Sequence, residues 1–279
     1  MVIGSVGMSA QADYQKGADA YGKKDYATAI EQWTIVAEQG DAVAQFNLGT
    51  MYYRGIGTPK NLKMAANWYN LAAAQGYAKA QHSLGILYEN GTGVPKDAKS
   101  AIKWYKLAAK QGNADAPHNL GVMYRTGNGV PQNHQTALKW YRVATEHGSA
   151  NSAFALGLMH SKGDGIPQDY GKAVKWFRVG SEMGHIPCQF NLGKMYYFGD
   201  GIQKDYISAH MWWDLVARSG DKAGIKTRDI VAKEMTPLQL EKAKKLAREC
   251  IEKKYKGCYL KPASSKQTKP SEGVQNTLF

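Results

Sequence analysis

A strict period of 36 residues constrains this chain more than any other feature it has. The pair Leu-Gly recurs as Leu48-Gly49, Leu84-Gly85, Leu120-Gly121, Leu156-Gly157 and Leu192-Gly193. Tryptophan keeps the same interval at Trp68, Trp104, Trp140, Trp176 and Trp212, and glycines close successive units at Gly40, Gly76, Gly112, Gly148, Gly184 and Gly220. A chain built this way folds as an array in which each unit buries its apolar faces against its neighbours.

Within a unit the residues specify two helices. Ala80, Leu84, Leu87 and Tyr88 fall at helical spacing and make one apolar stripe. Gly85 leaves a gap in that stripe, which predicts a close approach of the second helix and offsets the roughly 1 kcal/mol that glycine costs in a helix interior. Gly91-Thr92-Gly93-Val94-Pro95 is the turn, since its glycines can take positive φ and its proline cannot continue a helix. The second helix starts behind Asn61, Asp97, Asn133, Asp169 or Asp205, whose side-chain oxygens can accept from unpaired backbone N–H groups. Ala101, Trp104, Tyr105 and Ala108 form its predicted buried stripe, and glycines such as Gly112 supply a left-handed end.

Five full units therefore occupy residues 41–220, as 41–76, 77–112, 113–148, 149–184 and 185–220. Residues 13–40 form a shortened capping unit, in which Asp25 to Ala29 and Trp33 echo the second helix and the G-x-G loop is missing. Residues 221–260 read as a helical cap, whose Thr236-Pro237-Leu238-Gln239 combines an N-cap threonine, a first-turn proline and a T-x-x-Q capping box. Residues 261–279, rich in Pro, Ser and Lys, are expected to be a disordered basic tail. Residues 1–12 read as the remnant of a secretory signal or as an unstructured N-terminus. Val2 to Ser9 are small and apolar, and Ala10-Gln11-Ala12 has the form of a signal-peptidase site, but no Lys or Arg precedes the apolar run.

With 43% hydrophobic and 21% charged residues the chain has the composition of a folded protein, and no stretch approaches the eighteen or so apolar residues that a transmembrane helix requires. The net charge of +13 favours acidic partners. Residues 221–279 hold 14 Lys and Arg against 7 Asp and Glu. Weak electrostatic contact of this cap and tail with anionic lipid or another polyanion is therefore expected. A specific nucleic-acid site is not, because the remaining basic residues read as solvated helix faces.

The pattern of Ala, Leu-Gly, Tyr, G-x-G, a capping Asp, Ala, Trp-Tyr and Ala-Ala-x-x-Gly resembles the Sel1-like repeat family, relatives of tetratricopeptide repeats with a longer loop. The resemblance covers residues 13–260. It implies an all-α fold, a right-handed α-solenoid of helix-turn-helix repeats, acting as a non-enzymatic adaptor or scaffold for a protein or peptide partner, often in the bacterial envelope. His160 departs from the tyrosine of Tyr52, Tyr88, Tyr124 and Tyr196, and Gly180-Ser181 departs from Ala-Ala.

If the solenoid curves as such relatives do, the first helix of each unit lines a concave groove. One row of that groove is Phe46, His82, His118, Phe154 and Phe190, and the next contains Asn47, Asn119 and Asn191, with Ser83 and Ala155 between them. A third holds Tyr53, Glu89, Arg125, Ser161 and Tyr197, beside Arg54, Asn90, Lys162 and Phe198. Rings offer contact area at low entropic cost, and amides can pair with an extended peptide. The first row can equally pack against the neighbouring helix.

The competing function is a hydrolase, or a binder of cell-wall fragments, using the same groove. Ser100-Ala101-Ile102-Lys103 fits the S-x-x-K pattern, but Met64, Thr136 and Lys172 stand where Ser100 does. The aspartates of the Gly-Asp-Gly loops read as turn residues, and no cofactor or metal site is expected. Cys188 takes the place of Ala44, Ala80, Ala116 and Ser152 and reads as a small buried residue. A turn after Lys256-Gly257 would bring Cys250 and Cys258 within disulfide reach in an oxidising compartment; in the cytoplasm they would be free thiols. A periplasmic or secreted location is favoured over a cytoplasmic one.

Overall fold

A computed structural model describes residues 3–258, with side chains from residue 13 onward. Among the described residues there are fourteen helices and no strand. Helices α1 (Ile3–Gly22) and α2 (Tyr26–Glu38) precede five pairs: α3 (Ala42–Arg54) and α4 (Leu62–Ala74), α5 (Ala78–Asn90) and α6 (Ala98–Lys110), α7 (Asp115–Thr126) and α8 (His134–Glu146), α9 (Ala150–Lys162) and α10 (Tyr170–Glu182), and α11 (Ile186–Phe198) and α12 (Tyr206–Arg218). Helices α13 (Lys222–Ala232) and α14 (Pro237–Glu252) follow. The described residues divide into two compact units, up to Cys188 and from Gln189 onward. Residues 3–12, read from sequence as a signal remnant or an unstructured start, are helical as part of α1; the expected tail, 261–279, lies outside the described residues.

One contact recurs in every pair. The first helix carries a glycine beneath an aromatic ring of the second, and a β-carbon there would stand 2.6 Å from Tyr69 at Gly49, 2.5 Å from Tyr105 at Gly85 and 2.6 Å from Tyr141 at Gly121. Gly157 meets Phe177 in the same way. In α1 and α2 the pair is Gly17 and Trp33, and in the second unit it is Gly193 and Trp213. The indoles of these two also donate to first-helix carbonyls, Trp33 to Tyr14 (3.3 Å) and Trp213 to Phe190 (3.0 Å). In the five repeats the ring that seals the pair is thus the residue after the periodic tryptophan. Tyr105 and Tyr141 are wholly or nearly wholly buried. Trp104 and Trp140 are only half-buried, lying against the α4/α5 and α6/α7 clusters, the seams with the preceding pair. This corrects the expectation that Trp104 shares the buried stripe equally.

The loops repeat with the same economy. Each first helix ends on a left-handed glycine, such as Gly91 (φ 70°), and the chain returns so that the N–H of the next cap residue reaches the carbonyl nine residues earlier: Asn61 to Tyr52 (2.9 Å), Asp97 to Tyr88 (2.9 Å), Asn133 to Tyr124 (2.8 Å) and Asp169 to His160 (2.8 Å). The same residues cap the second helices as their composition predicts, Asn133 accepting from Thr136 N at 2.8 Å and Asp169 from Lys172 N at 2.8 Å. Between pairs, buried Gln45 and Gln81 donate to the carbonyls of Ala37 (2.9 Å) and Ala73 (3.1 Å), and accept from Gln75 (2.8 Å) and Gln111 (2.9 Å). A buried amide satisfied at both ends fixes the register of neighbouring pairs.

At the last seam of the first unit two departures from the repeat cancel. Cys188 replaces alanine, and Gly180 replaces the alanine facing it; a β-carbon at Gly180 would overlap the Cys188 sulfur. In the second unit, α12 is buried from Ser208 to Ala217, with α13 and α14 packed on it. Helix α14 opens with the capping box of Thr236 and Gln239 and buries only Ala243, Ala247 and Cys250. Cys250 and Cys258 are joined by a disulfide.

The seam supplies a first test. Gly180→Ala should lower the urea midpoint by an amount equivalent to about 1–3 kcal/mol, the usual cost of overpacking a core. Adding Cys188→Ala to the same chain should recover most of that loss; equal losses in the single and double variants would show that the two positions do not share one space.

Candidate functional site

Within the first unit, α5 and α7 approach each other directly, and the residues of the three expected rows sit on or at the ends of the first helices α3, α5, α7 and α9. The first row is the floor. Phe46, His82, His118 and Phe154 are half-buried, and their rings lie 5.5, 5.8, 5.5 and 6.1 Å from those of Tyr69, Tyr105, Tyr141 and Phe177. Burial pushes the pKa of His82 and His118 down, which leaves both imidazoles neutral near pH 7. His118 Nδ1 shares a hydrogen bond with the Ser152 hydroxyl (2.7 Å) of the next pair.

Two of the three asparagines expected to meet a peptide backbone make contacts within the array. Asn47 donates to the Tyr14 hydroxyl (3.4 Å), and Asn119 pairs with His82 Nε2 (3.2 Å). In the third row Glu89 accepts from the Tyr105 hydroxyl (2.7 Å) and from Asn128 (3.2 Å). Tyr53 is exposed, with Lys60 over its ring, and Arg54 and Lys162 reach solvent. Phe190, Asn191, Tyr197 and Phe198 belong to the second unit; there Phe190 and Tyr197 pack on Trp213, and Phe198 is 58% exposed.

What opens on this side is a cleft at the seam between successive first helices. Between α3 and α5 it is small, about 90 Å³, with Tyr53 and Ser83 in it. Between α7 and α9 it grows to about 360 Å³. The cause is a local change of side chains. Ala155 stands where Ser83 and Asn119 stand in the two preceding units, and Arg125 stands where Tyr53 does and extends towards the rim. Val122, Phe154, Leu158 and Met159 form apolar walls; Arg125, Lys162, Asp164 and Asn151 form the mouth. Arg125 donates to the Tyr141 hydroxyl (3.4 Å) and to Asp164 (3.4 Å), contacts that hold the guanidinium across the seam and raise its pKa. Asp164, read from sequence only as a turn residue, is therefore part of this mouth. The signal for the cleft was present as the single alanine in a row of polar side chains.

The side-chain groupings suited to covalent chemistry are occupied with structure. Ser100 donates to its own helix cap, Asp97 (2.6 Å), and Lys103 lies over Trp104. His185 lies 3.2 Å from Cys188 Sγ through Nδ1 and 3.1 Å from Asn151 Oδ1 through Nε2, an order of groups that in an open site activates a thiolate. Here the sulfur is wholly buried against Gly180, and burial pushes the thiol up to about 12. A thiol so placed is neither ionised nor reachable.

The helix-hairpin array with its glycine-ring seams defines a repeat protein of the α-solenoid class. The family model described as Sel1 repeat matches residues 42–77, 78–113, 114–149, 150–185 and 186–221, and the chain belongs to the Sel1 repeat family. Proteins of this family act as scaffolds for protein interaction. Among solved structures, c5321, a protective antigen of uropathogenic Escherichia coli with the same fold, is 31% identical (TM-score 0.73) over 96% of this chain. The match takes in 58% of that protein, so the present chain spans little more than half its length. A Sel1 repeat protein from Oxalobacter formigenes is 33% identical (TM-score 0.69), covering 85% of this chain and 99% of that one. A sel1-like repeat-containing protein of Acanthamoeba polyphaga mimivirus, L18, is 53% identical over 38 residues, 14% of this chain and 6% of the viral protein.

Cys188 should resist a thiol reagent such as dithionitrobenzoate in the native protein and react at once in denaturant. Rapid native labelling would show an open thiol and revive the hydrolytic reading.

Proposed function

We propose that this protein is a non-enzymatic scaffold whose ligand is a short polypeptide segment held on the first-helix side, with the α7/α9 cleft as its anchor point. The observation that carries this reading is the pairing, in that cleft, of an apolar interior with a charged mouth. Its volume of about 360 Å³ is at the lower end of ligand pockets and suits one large side chain. Val122, Phe154 and Leu158 would take an apolar side chain, and Lys162 and Arg125 a neighbouring carboxylate. Asp164 already engages Arg125 (3.4 Å), so Lys162 is the first receptor for that carboxylate.

Envelope or extracellular residence is part of the same proposal. The A-x-A form of Ala10-Gln11-Ala12 supports it, and so does the bond between Cys250 and Cys258, since such bonds persist in oxidising compartments. Contact of the basic cap with a polyanion remains compatible with it.

An array of immobilised peptides offers the test. The wild-type protein should enrich peptides that place a large apolar residue beside Asp or Glu. Ala155→Phe, which fills the cleft, and Arg125→Ala with Lys162→Ala, which strips its mouth, should each weaken the selected peptides at least tenfold while the far-ultraviolet circular dichroism stays unchanged. Unaltered binding by both variants would move the site elsewhere, and retention of muropeptides in place of peptides would favour the cell-wall alternative.

A further inference from the structure

The opposite, second-helix side of the first unit carries a charge pattern that the cleft does not use. On α6, Lys99, Lys103, Lys106 and Lys110 follow at intervals of four, three and four, which sets them in one line along the helix, and all four are exposed. This helix contains no Asp or Glu. One and two units further on, Lys139 and Arg142 on α8, and Lys175 and Arg178 on α10, repeat the positions of Lys103 and Lys106. The same positions are Asn67 and Asn70 on α4, so the pattern belongs to three successive helices and is no requirement of the repeat. Among the described residues Lys99, Lys106, Lys110, Lys139 and Arg142 make no ion pair with a carboxylate. The line is densest on α6, whose four lysines repel one another; on α8 and α10 the position of Lys110 is taken by Glu146 and Glu182, so the excess positive charge there is carried by the Lys103 and Lys106 positions, and an anionic partner would relieve the repulsion on α6.

A second feature lies inside this field. Lys106, Lys110 and His147 rim a depression of about 340 Å³ between α6 and α8, floored by Trp140, Ala109 and Val143. It therefore has cations at its edge and an apolar base. That is the polarity of a phospholipid at the membrane interface, where an anionic phosphate stands over glycerol and acyl carbon. Half-buried indoles and lysines on long aliphatic stems are also the side chains that settle in that interface. A nucleic acid would be served by a run of rings offered for stacking; here the ring of Trp104 packs against the α4/α5 core, and α6 offers point charges.

We propose that the outer face of α6, α8 and α10 docks on a bilayer surface rich in anionic phospholipid. This is independent of the peptide cleft, which opens on the first-helix side. Each basic side chain close to an anionic leaflet strengthens partitioning roughly fivefold, so three together amount to about a hundredfold at low salt.

The test is flotation of the full chain with vesicles of pure phosphatidylcholine and of an equimolar mixture with phosphatidylglycerol. Two variants are compared, K103Q/K139Q/K175Q on this face and K242Q/K245Q/R248Q on α14, all at exposed positions. The proposal expects binding to the mixed vesicles alone, about a hundredfold weaker for the first variant, unchanged for the second, and suppressed by salt. It is overturned if the mixed vesicles are not bound, if the α14 variant loses binding as much as or more than the first, or if duplex DNA binds the protein more tightly than the vesicles through the same three lysines.

Discussion

A side chain at Gly49, Gly85, Gly121 or Gly157 would collide with a buried ring of the partner helix, and the remainder of the fold follows from that closeness. With no β-carbon in the way, Tyr69, Tyr105, Tyr141 and Phe177 lie flat on the first helix of their pair. The pair then becomes a rigid plate whose outer surfaces are lined by alanines, such as Ala72 and Ala80, or Ala108 and Ala116, small enough for the next plate to stack without a gap. Burial of this kind, repeated along the array, is the main stabilising term; the glutamine bridges at Gln45 and Gln81 mainly decide how one plate sits on the next.

Because the backbone plates are nearly identical, differences between them are written in a few side chains. On the first-helix side the exchange of asparagine for Ala155 opens a cleft, and Arg125, held by Tyr141 and Asp164, gives it a charged edge. On the second-helix side lysine or arginine in place of Asn67 and Asn70 adds basic charge to α6, α8 and α10. In Cys188 and Gly180 the variation is mutual and leaves the packing as it was. A scaffold can in this way acquire two separate surfaces with no change to its core.

Much of this was legible in the residues. The period gave the pairs, the five cap residues and the left-handed glycines because each depends on local chemistry that recurs at fixed spacing. The cap helix and its Thr236 box were readable for the same reason. The site was less so. Periodicity marks which face a residue occupies but not what its atoms touch, so Asn47 and Asn119 looked available although both are bonded across the array. Trp104 and Tyr105 are adjacent in sequence and differ by about 100° around the helix, and only packing distinguishes the sealed ring from the half-buried one. Asp164 reaches a residue 39 positions earlier in the chain, a relation that no local pattern contains.

The account turns on the α7/α9 cleft, and methionine methyl resonances report on it directly, since Met159 lines that cleft while Met211 is buried in the second unit. Titration of the tightest-binding peptide into methyl-labelled protein should shift Met159 in proportion to occupancy and leave Met211 in place. A saturating peptide that moves Met211, or any other methionine, and leaves Met159 unmoved would contradict it.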